Sequence, residues 1–320
     1  MSNGPAPQSA LHPGGPVADT LLGVTGVLVI GASVIFLGVM ALLAVALRRR
    51  HDTTPAMNLR WWIWGGGIAF PGVVLALLFI YSESHRPPWR PVPPRDALMV
   101  GITGHLWWWE VRLRDPATGA EAVLANELRI PVGRPVYIGL TSADVLHSFW
   151  VPGLAGKMDM IPGRVQHLLL QADRPGVWRG QCAEFCGTQH AQMALHVVGE
   201  PAEVFERWLS HQAAPAATLP AEATNAQVLM RGRDAFLAHR CQACHTVRGV
   251  AEESRLGPDL THVGSRLALG AGTLSMDPES LAEWVAHTQQ HKPGARMPSS
   301  AQRLDADTLQ DIAAWLTHLQ

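Results

Sequence analysis

Two uncharged apolar runs constrain this chain more than any other feature. Residues 21–47 read LLGVTGVLVIGASVIFLGVMALLAVAL, with no Asp, Glu, Lys or Arg, and a helix needs about 20 such residues to cross the hydrocarbon core of a bilayer. Residues 61–81, WWIWGGGIAFPGVVLALLFIY, form a second run with tryptophans at one end and a tyrosine at the other, side chains that favour membrane interfaces. Gly65, Gly66, Gly67 and Pro71 would weaken a helix in water, yet membrane helices tolerate both residue types because neighbours re-satisfy the freed backbone groups. A cleaved signal peptide would start with basic residues and carry a shorter apolar core, whereas residues 1–20 hold no Lys or Arg. The expectation is an extracytoplasmic N-terminal tail over 1–20 and a transmembrane helical hairpin over 21–81. The basic cluster RRRH after the first run, with Arg60, makes the intervening loop the cytoplasmic side. Both termini then lie outside the cytoplasm, as in a two-span protein of the cell's inner membrane.

The length of 320 residues allows two or three domains. A formal net charge of -1, with no basic cluster interleaved with aromatics, excludes nucleic acid as an expected partner. Over residues 96–208, short runs such as PVYIGLTS, VLHSFWVPG, GVWRGQC and MALHVVGE are bounded by Gly, Pro and Asp, the pattern of a β-sandwich. A short helix is expected over 203–212, and residues 209–225, rich in Ala, Pro and Thr, read as a linker. Residues 226–320 have a helical pattern. There, DADTLQDIAAWLTHL places Leu309, Ile312, Ala313 and Leu316 on one face with Asp305 or Asp307 as cap, and MDPESLAEWVAH offers Asp277 as cap and Pro278 at the first helical position. Its face toward the core is Leu281, Trp284 and Val285.

All four cysteines fall in two close pairs, CAEFC and CQACH, spaced too tightly for a disulfide framework. The first pair sits in GQCAEFCGTQHAQM, residues 180–193, which brings together Cys182, Cys186, His190 and Met193. Thiolate with thioether selects copper over hard cations, and imidazole suits copper or zinc. A structural zinc would take four Cys or His ligands and has no use for methionine. His147, in VLHSFWVPG on what reads as a neighbouring strand, can add a second imidazole. Two thiolates, two imidazoles, a thioether and a backbone carbonyl suit a pair of copper ions that share one electron. CQACH, residues 241–245, is the attachment signal of a c-type haem, with Cys241 and Cys244 forming thioethers and His245 ligating iron. His105, His167 and His196 have no companions at ligand spacing and are expected to be structural.

The runs LHSFWVPGLAGKMDMIPGR (146–164) and PGVWRGQCAEFCGTQHAQM (175–193), preceded by GHLWWWE (104–110) and the two spans, resemble subunit II of cytochrome c oxidase. GRDAFLAHRCQACH, LGPDL and ARMPS, in that order within residues 228–320, resemble the class I cytochromes c. The first resemblance implies a cupredoxin domain with a dinuclear CuA centre. Its ligands fall on His147, Cys182, Glu184 through its backbone carbonyl, Cys186, His190 and Met193, and its electron-accepting tryptophan falls on Trp107. The Glu184 carboxylate matches a residue that helps bind magnesium against subunit I. The second resemblance implies Met297 as the other axial haem ligand, ahead of Met276, His262, His287 and His291, and Pro258 as the carbonyl that orients His245.

Together they imply a multidomain membrane protein: a two-helix transmembrane hairpin, a cupredoxin-like β-sandwich and an all-α cytochrome c domain. Its role would be electron input to a respiratory, proton-translocating oxidase. Electrons would pass from a cytochrome c or other extracytoplasmic donor to haem c, then CuA, then to subunit I, with subunit III as a further partner and the lipid bilayer around the hairpin. Alternatives are the electron-input subunit of a CuA-containing nitric oxide reductase and a membrane-tethered copper-delivery or electron-shuttle protein. Met193, His147, the paired spans and the haem signal argue against delivery. Two departures stand out: relatives carry a glutamate near the cytoplasmic start of the second span, where Asp52 is here the only acid between Arg48 and Ser82, and Leu106 replaces a frequent glutamine.

Overall fold

In the computed structural model the chain is described over residues 8–48, 58–86, 92–116, 118–217 and 225–320. Most of the basic loop with Asp52, part of the proline-rich stretch after the second span, and the centre of the linker lie outside the described residues. Two compact units result, Val17–Trp89 on one hand and Met1–Pro16 with Arg90–Gln320 on the other.

The first unit holds two helices long and apolar enough to cross a membrane, Pro16–Arg48 and Leu59–Ser84. The first is α1. The second starts as α2 (Leu59–Trp61), widens into a π-helical stretch over Trp62–Ala69 and continues as α3 (Phe70–Ser84). The widening coincides with the three glycines and ends at Pro71, in the first turn of α3. Proline has no N–H for the preceding ladder, and a local change of hydrogen-bond register is a common way to absorb that. Both helices outrun the apolar stretches read from sequence. At the far end of α3, Ser82 and Ser84 return their hydroxyls to the carbonyls of Phe79 and Tyr81 at 3.1 and 2.8 Å.

The second unit begins with a ten-stranded sandwich. Its strands are β1 (Leu98–His105), β2 (Trp108–Arg114), β3 (Glu121–Ala125), β4 (Glu127–Pro131), β5 (Val136–Ser142), β6 (His147–Trp150), β7 (Met158–Met160), β8 (Gln166–Leu170), β9 (Gly176–Cys182) and β10 (Ala194–Glu200). One sheet runs β3-β2-β1-β5-β8 and the other β4-β10-β9-β6-β7, with β1/β5 and β4/β10 parallel and the remaining pairs antiparallel. Ile102, Trp109, Val111, Leu140, Phe149 and Trp178 alternate inward and fill the space between the sheets. Residues 8–16 lie along this sandwich: Gly14 donates to the Gly153 carbonyl at 2.7 Å and accepts from the Asp173 N–H at 2.8 Å. His105 stacks on Trp108 and His167 on Tyr137, as befits structural imidazoles.

Helix α4 (Ala202–Ala213) leads to the linker, and α5 (Ala226–Ala238), α6 (Pro278–His291) and α7 (Ala306–His318) build the helical domain. Asp277 caps α6 by accepting from the Ser280 N–H at 2.7 Å, and Asp305 caps α7 through Thr308 at 2.8 Å. Asp307 lies inside the first turn of α7. Leu229 and Phe236 from α5 meet Leu281, Val285, Leu309, Ile312, Ala313 and Leu316 in one core. Trp315, outside the face read from sequence, is also buried, with Phe236 at a centroid distance of 5.1 Å. Trp284 is only half-buried against that core.

Candidate metal and haem centres

Strand pairing builds the first centre. Phe149 on β6 is opposite Cys182 at the end of β9, which sets His147 beside the cysteine. The chain then loops through residues 183–193 and closes on itself, the Cys182 N–H donating to the Met193 carbonyl at 2.9 Å. Ala183 donates to Ser148 at 2.9 Å and fastens the loop to β6. A 3₁₀ turn at His190–Gln192 brings His190 and Met193 back over Cys186.

The result is one imidazole for each sulfur. Cys182 Sγ lies 3.8 Å from His147 Nδ1 and 3.2 Å from the Glu184 carbonyl oxygen. Cys186 Sγ lies 3.6 Å from His190 Nδ1 and 3.9 Å from Met193 Sδ. Donor atoms of His147, Cys182 and Cys186 all fall within 4.8 Å of one another. Both cysteines are free thiols, and they are buried together with His147 and Met193. The six sequence-read residues therefore converge, Glu184 by its backbone. Its carboxylate points elsewhere, to Lys157 Nζ at 3.7 Å, and no acidic cluster gathers around it among the described residues.

Electrostatics follow from this closeness. The hydrogen bond with Cys186 draws the Cys182 thiol well below its ordinary range and holds Cys186 above it. Desolvation opposes charging of His147, but its hydrogen bonds with Cys182 and Asp144 prevail and raise it. Asp144 is the residue that sequence reading missed. Its Oδ1 is 2.8 Å from His147 Nε2, and it also accepts from the backbone of Val145 and Leu106. An acid three positions before the histidine in ADVLH was the available signal. Carboxylates of this kind orient metal-binding imidazoles.

Trp107 is 9% exposed, and its indole N–H donates to the Cys186 carbonyl at 2.8 Å. The electron-accepting position named from sequence thus touches the cysteine loop directly.

In the helical domain, α5 ends at Ala238, Arg240 takes the left-handed region (φ 60°) and a 3₁₀ turn over Cys241–Ala243 follows. Cys241 is half-buried against the core while Cys244 is exposed, and both are free. His245 Nδ1 donates to the Pro258 carbonyl at 2.8 Å, which leaves the Nε2 lone pair available to a ligand. Burial pushes the imidazole down in pKa, favouring the neutral form that binds iron. Gly257 presses on the same ring: a Cβ there would lie 2.7 Å from His245 Cε1. Met297 is half-buried on the helical core, as is Met276. Both nitrogens of His262 face backbone carbonyls at 2.8 and 3.0 Å, His291 is 3.1 Å from Glu283 and His287 is 3.3 Å from Gln290. Each of these rival histidines thus already has another hydrogen-bond partner.

Residues 117–199 match the family described as cytochrome C oxidase subunit II, periplasmic domain, and residues 229–320 match the cytochrome c family. The chain is 33% identical over 225 residues to the cytochrome c oxidase subunit 2 of Alkalihalophilus pseudofirmus, covering 70% of this chain and 62% of that one. It is 29% identical over 223 residues to the protein of the same name from Bacillus subtilis, covering 67% and 60%. The chain thus spans about three fifths of the length of these curated relatives. The solved periplasmic domain of cytochrome oxidase subunit II from Bradyrhizobium japonicum aligns at 28% identity and a TM-score of 0.35, over 38% of this chain and 100% of that one.

Proposed function

Since this chain joins a cytochrome c oxidase subunit II periplasmic domain to a cytochrome c domain, we propose that it is the electron-input subunit of a respiratory haem-copper oxidase. A dinuclear CuA centre would be held by His147, Cys182, the Glu184 carbonyl, Cys186, His190 and Met193, and haem c by Cys241, Cys244, His245 and Met297. When bound, these groups each take up and release a single electron; neither reaction needs a proton or a new bond. The remaining partners of the proposal are an extracytoplasmic cytochrome c donor, a separate subunit I, subunit III and the inner membrane around the two apolar helices. Glu184 is not assigned a magnesium ion, its carboxylate being paired with Lys157.

One observation carries the reading: two buried free cysteines, each within 4 Å of its own imidazole, on a loop closed by the backbone of Met193. Soft sulfur with imidazole in a dry pocket is the donor chemistry of copper. A redox pair of ions needs a frame that changes little between charge states, and the chain supplies it. Strand pairing fixes Cys182, Asp144 holds His147, and the Trp107 indole ties the Cys186 carbonyl. In the helical domain, Pro258 and Gly257 fix the ring plane of His245 in the same way.

Residues 8–16 pack on the same sandwich that bears the copper ligands, which supports the N-terminus and the soluble domains lying on one side of the membrane, with the two spans passing out and back.

Metal analysis and optical spectroscopy of the purified complex test the proposal. Two coppers and one haem per chain are expected, with a near-infrared copper band that Cys182→Ser abolishes while the haem spectrum stays. Zinc in the cysteine pocket, or a copper band indifferent to Cys182→Ser, refutes it.

A further inference from the structure

Lys292 is 4% exposed, although lysine is among the residues least often buried. Its Nζ donates to three backbone carbonyls, those of Trp107 at 2.8 Å, Gln192 at 2.9 Å and Gly270 at 3.0 Å. An ammonium has three N–H donors, so all are used, and none of the partners is a carboxylate. Two of the carbonyls belong to the sandwich, on either side of the copper site: Trp107 precedes β2 and Gln192 precedes Met193. The third belongs to the helical domain's own loop.

The next residues extend the attachment. Pro293 accepts from the side chain of buried Gln189 at 2.8 Å. Gly294 has φ +84°, and a Cβ there would lie 3.5 Å from Trp107 Cη2, so the backbone rests on the indole. The same loop is braced from behind by Gln289, which accepts from the Gly294 N–H at 3.0 Å and donates to the carbonyls of Ala295 and Met297 at 2.7 and 2.6 Å. Residues 292–297 are therefore one fastened segment, with Lys292 on the copper loop at one end and Met297 at the other.

We propose that Lys292 is a positioning residue that docks the haem domain on the copper loop and covers Trp107, so that electrons from an external donor reach copper by way of haem. This rests on the functional reading above. The step it serves oxidises the haem and reduces the copper centre by one electron, with no proton transferred. Other ties between the domains remain without it: the Ala194 N–H donates to the Ala271 carbonyl at 3.2 Å beside the copper loop, and farther away Leu267 donates to Glu127 at 2.8 Å and Arg248 to the Glu121 carbonyl at 3.4 Å. Loss of Lys292 is therefore expected to open the Trp107 side while the domains stay associated.

The test compares full-length wild type with Lys292→Met and, as a milder lesion, Gln189→Ala. Hydrogen exchange of peptides covering residues 104–110 and 186–194 should rise in both variants, most in Lys292→Met. Photoinduced haem-to-copper electron transfer should slow by about tenfold or more in Lys292→Met, which loses all three of the ammonium's hydrogen bonds, with the copper band and the haem potential unchanged. Wild-type exchange and transfer rates in both variants would overturn the proposal. If the wild type lacked the copper band while exchange at residues 104–110 still rose in Lys292→Met, the oxidase reading would fall and the docking role would stand.

Discussion

Asp144 Oδ1 lies 2.8 Å from His147 Nε2, and that bond decides which nitrogen of the ring faces Cys182. With Nε2 turned to the carboxylate, Nδ1 is the nitrogen that faces the sulfur, at 3.8 Å. Desolvation works against the Asp144 charge, but its bonds from His147, Val145 and Leu106 outweigh it and lower its pKa. Because Leu106 is the neighbour of Trp107, one carboxylate aligns both the buried imidazole and the segment that presents the tryptophan.

Asp144→Asn should weaken copper binding by about 10–100-fold, the usual cost of losing such a supporting partner. Competition titration against a chelator measures it, with the haem band as internal control. Copper affinity equal to wild type would show that the backbone alone holds the ring.

Replacing Met297 with alanine should lower the haem potential, since a thioether ligand favours the reduced iron. Redox titration reads the change, and Met276→Ala serves as the comparison because both methionines pack on the same core. A drop confined to Met276→Ala would transfer the axial role.

Gly257→Ala puts a methyl where only 2.7 Å separates it from His245 Cε1. Overpacking of this kind costs about 1–3 kcal/mol. Covalent haem loading and the thermal stability of the helical domain should both fall, and an unchanged haem spectrum with full loading would show that the loop at 257 yields.

Stability should decline with acidification well above the carboxylate range. Desolvation lowers His105, His196 and His262 below 6.5. Below that pH the unfolded chain binds protons that the folded one refuses. The stability is complete above 6.5 and drains as pH falls through the lower folded values. Thermal unfolding between pH 7.5 and 5 should show the decline, and His262→Gln should make it shallower. A flat profile over that range would contradict it.

Local patterns carried much of the architecture. The apolar runs announced both long helices, Asp277 and Asp305 announced the starts of α6 and α7, and the short runs PVYIGLTS and GVWRGQC between turn residues announced strands. The π-helical turn at Trp62–Ala69 was not legible beyond its glycines and proline, because hydrogen-bond register depends on how the whole helix distributes one missing donor. Trp315 was missed because a core formed by three helices collects more than one stripe of each.

At the metal and haem centres the division is sharper. Cys182, Cys186, His190 and Met193, like Cys241, Cys244 and His245, are close along the chain, and ligand chemistry at short spacing can be read from residue types alone. Lys292 acts through partners that only folding brings near, carbonyls 185 and 100 positions away, and Asp144, although three positions from His147, reaches that ring through the turn between β5 and β6. A carboxylate or an ammonium in a string of letters is most often a solvated charge. Bonds to particular partners, the His147 ring for the Asp144 carboxylate and three backbone carbonyls for the buried Lys292 ammonium, give each a fixed place that the three-dimensional packing creates.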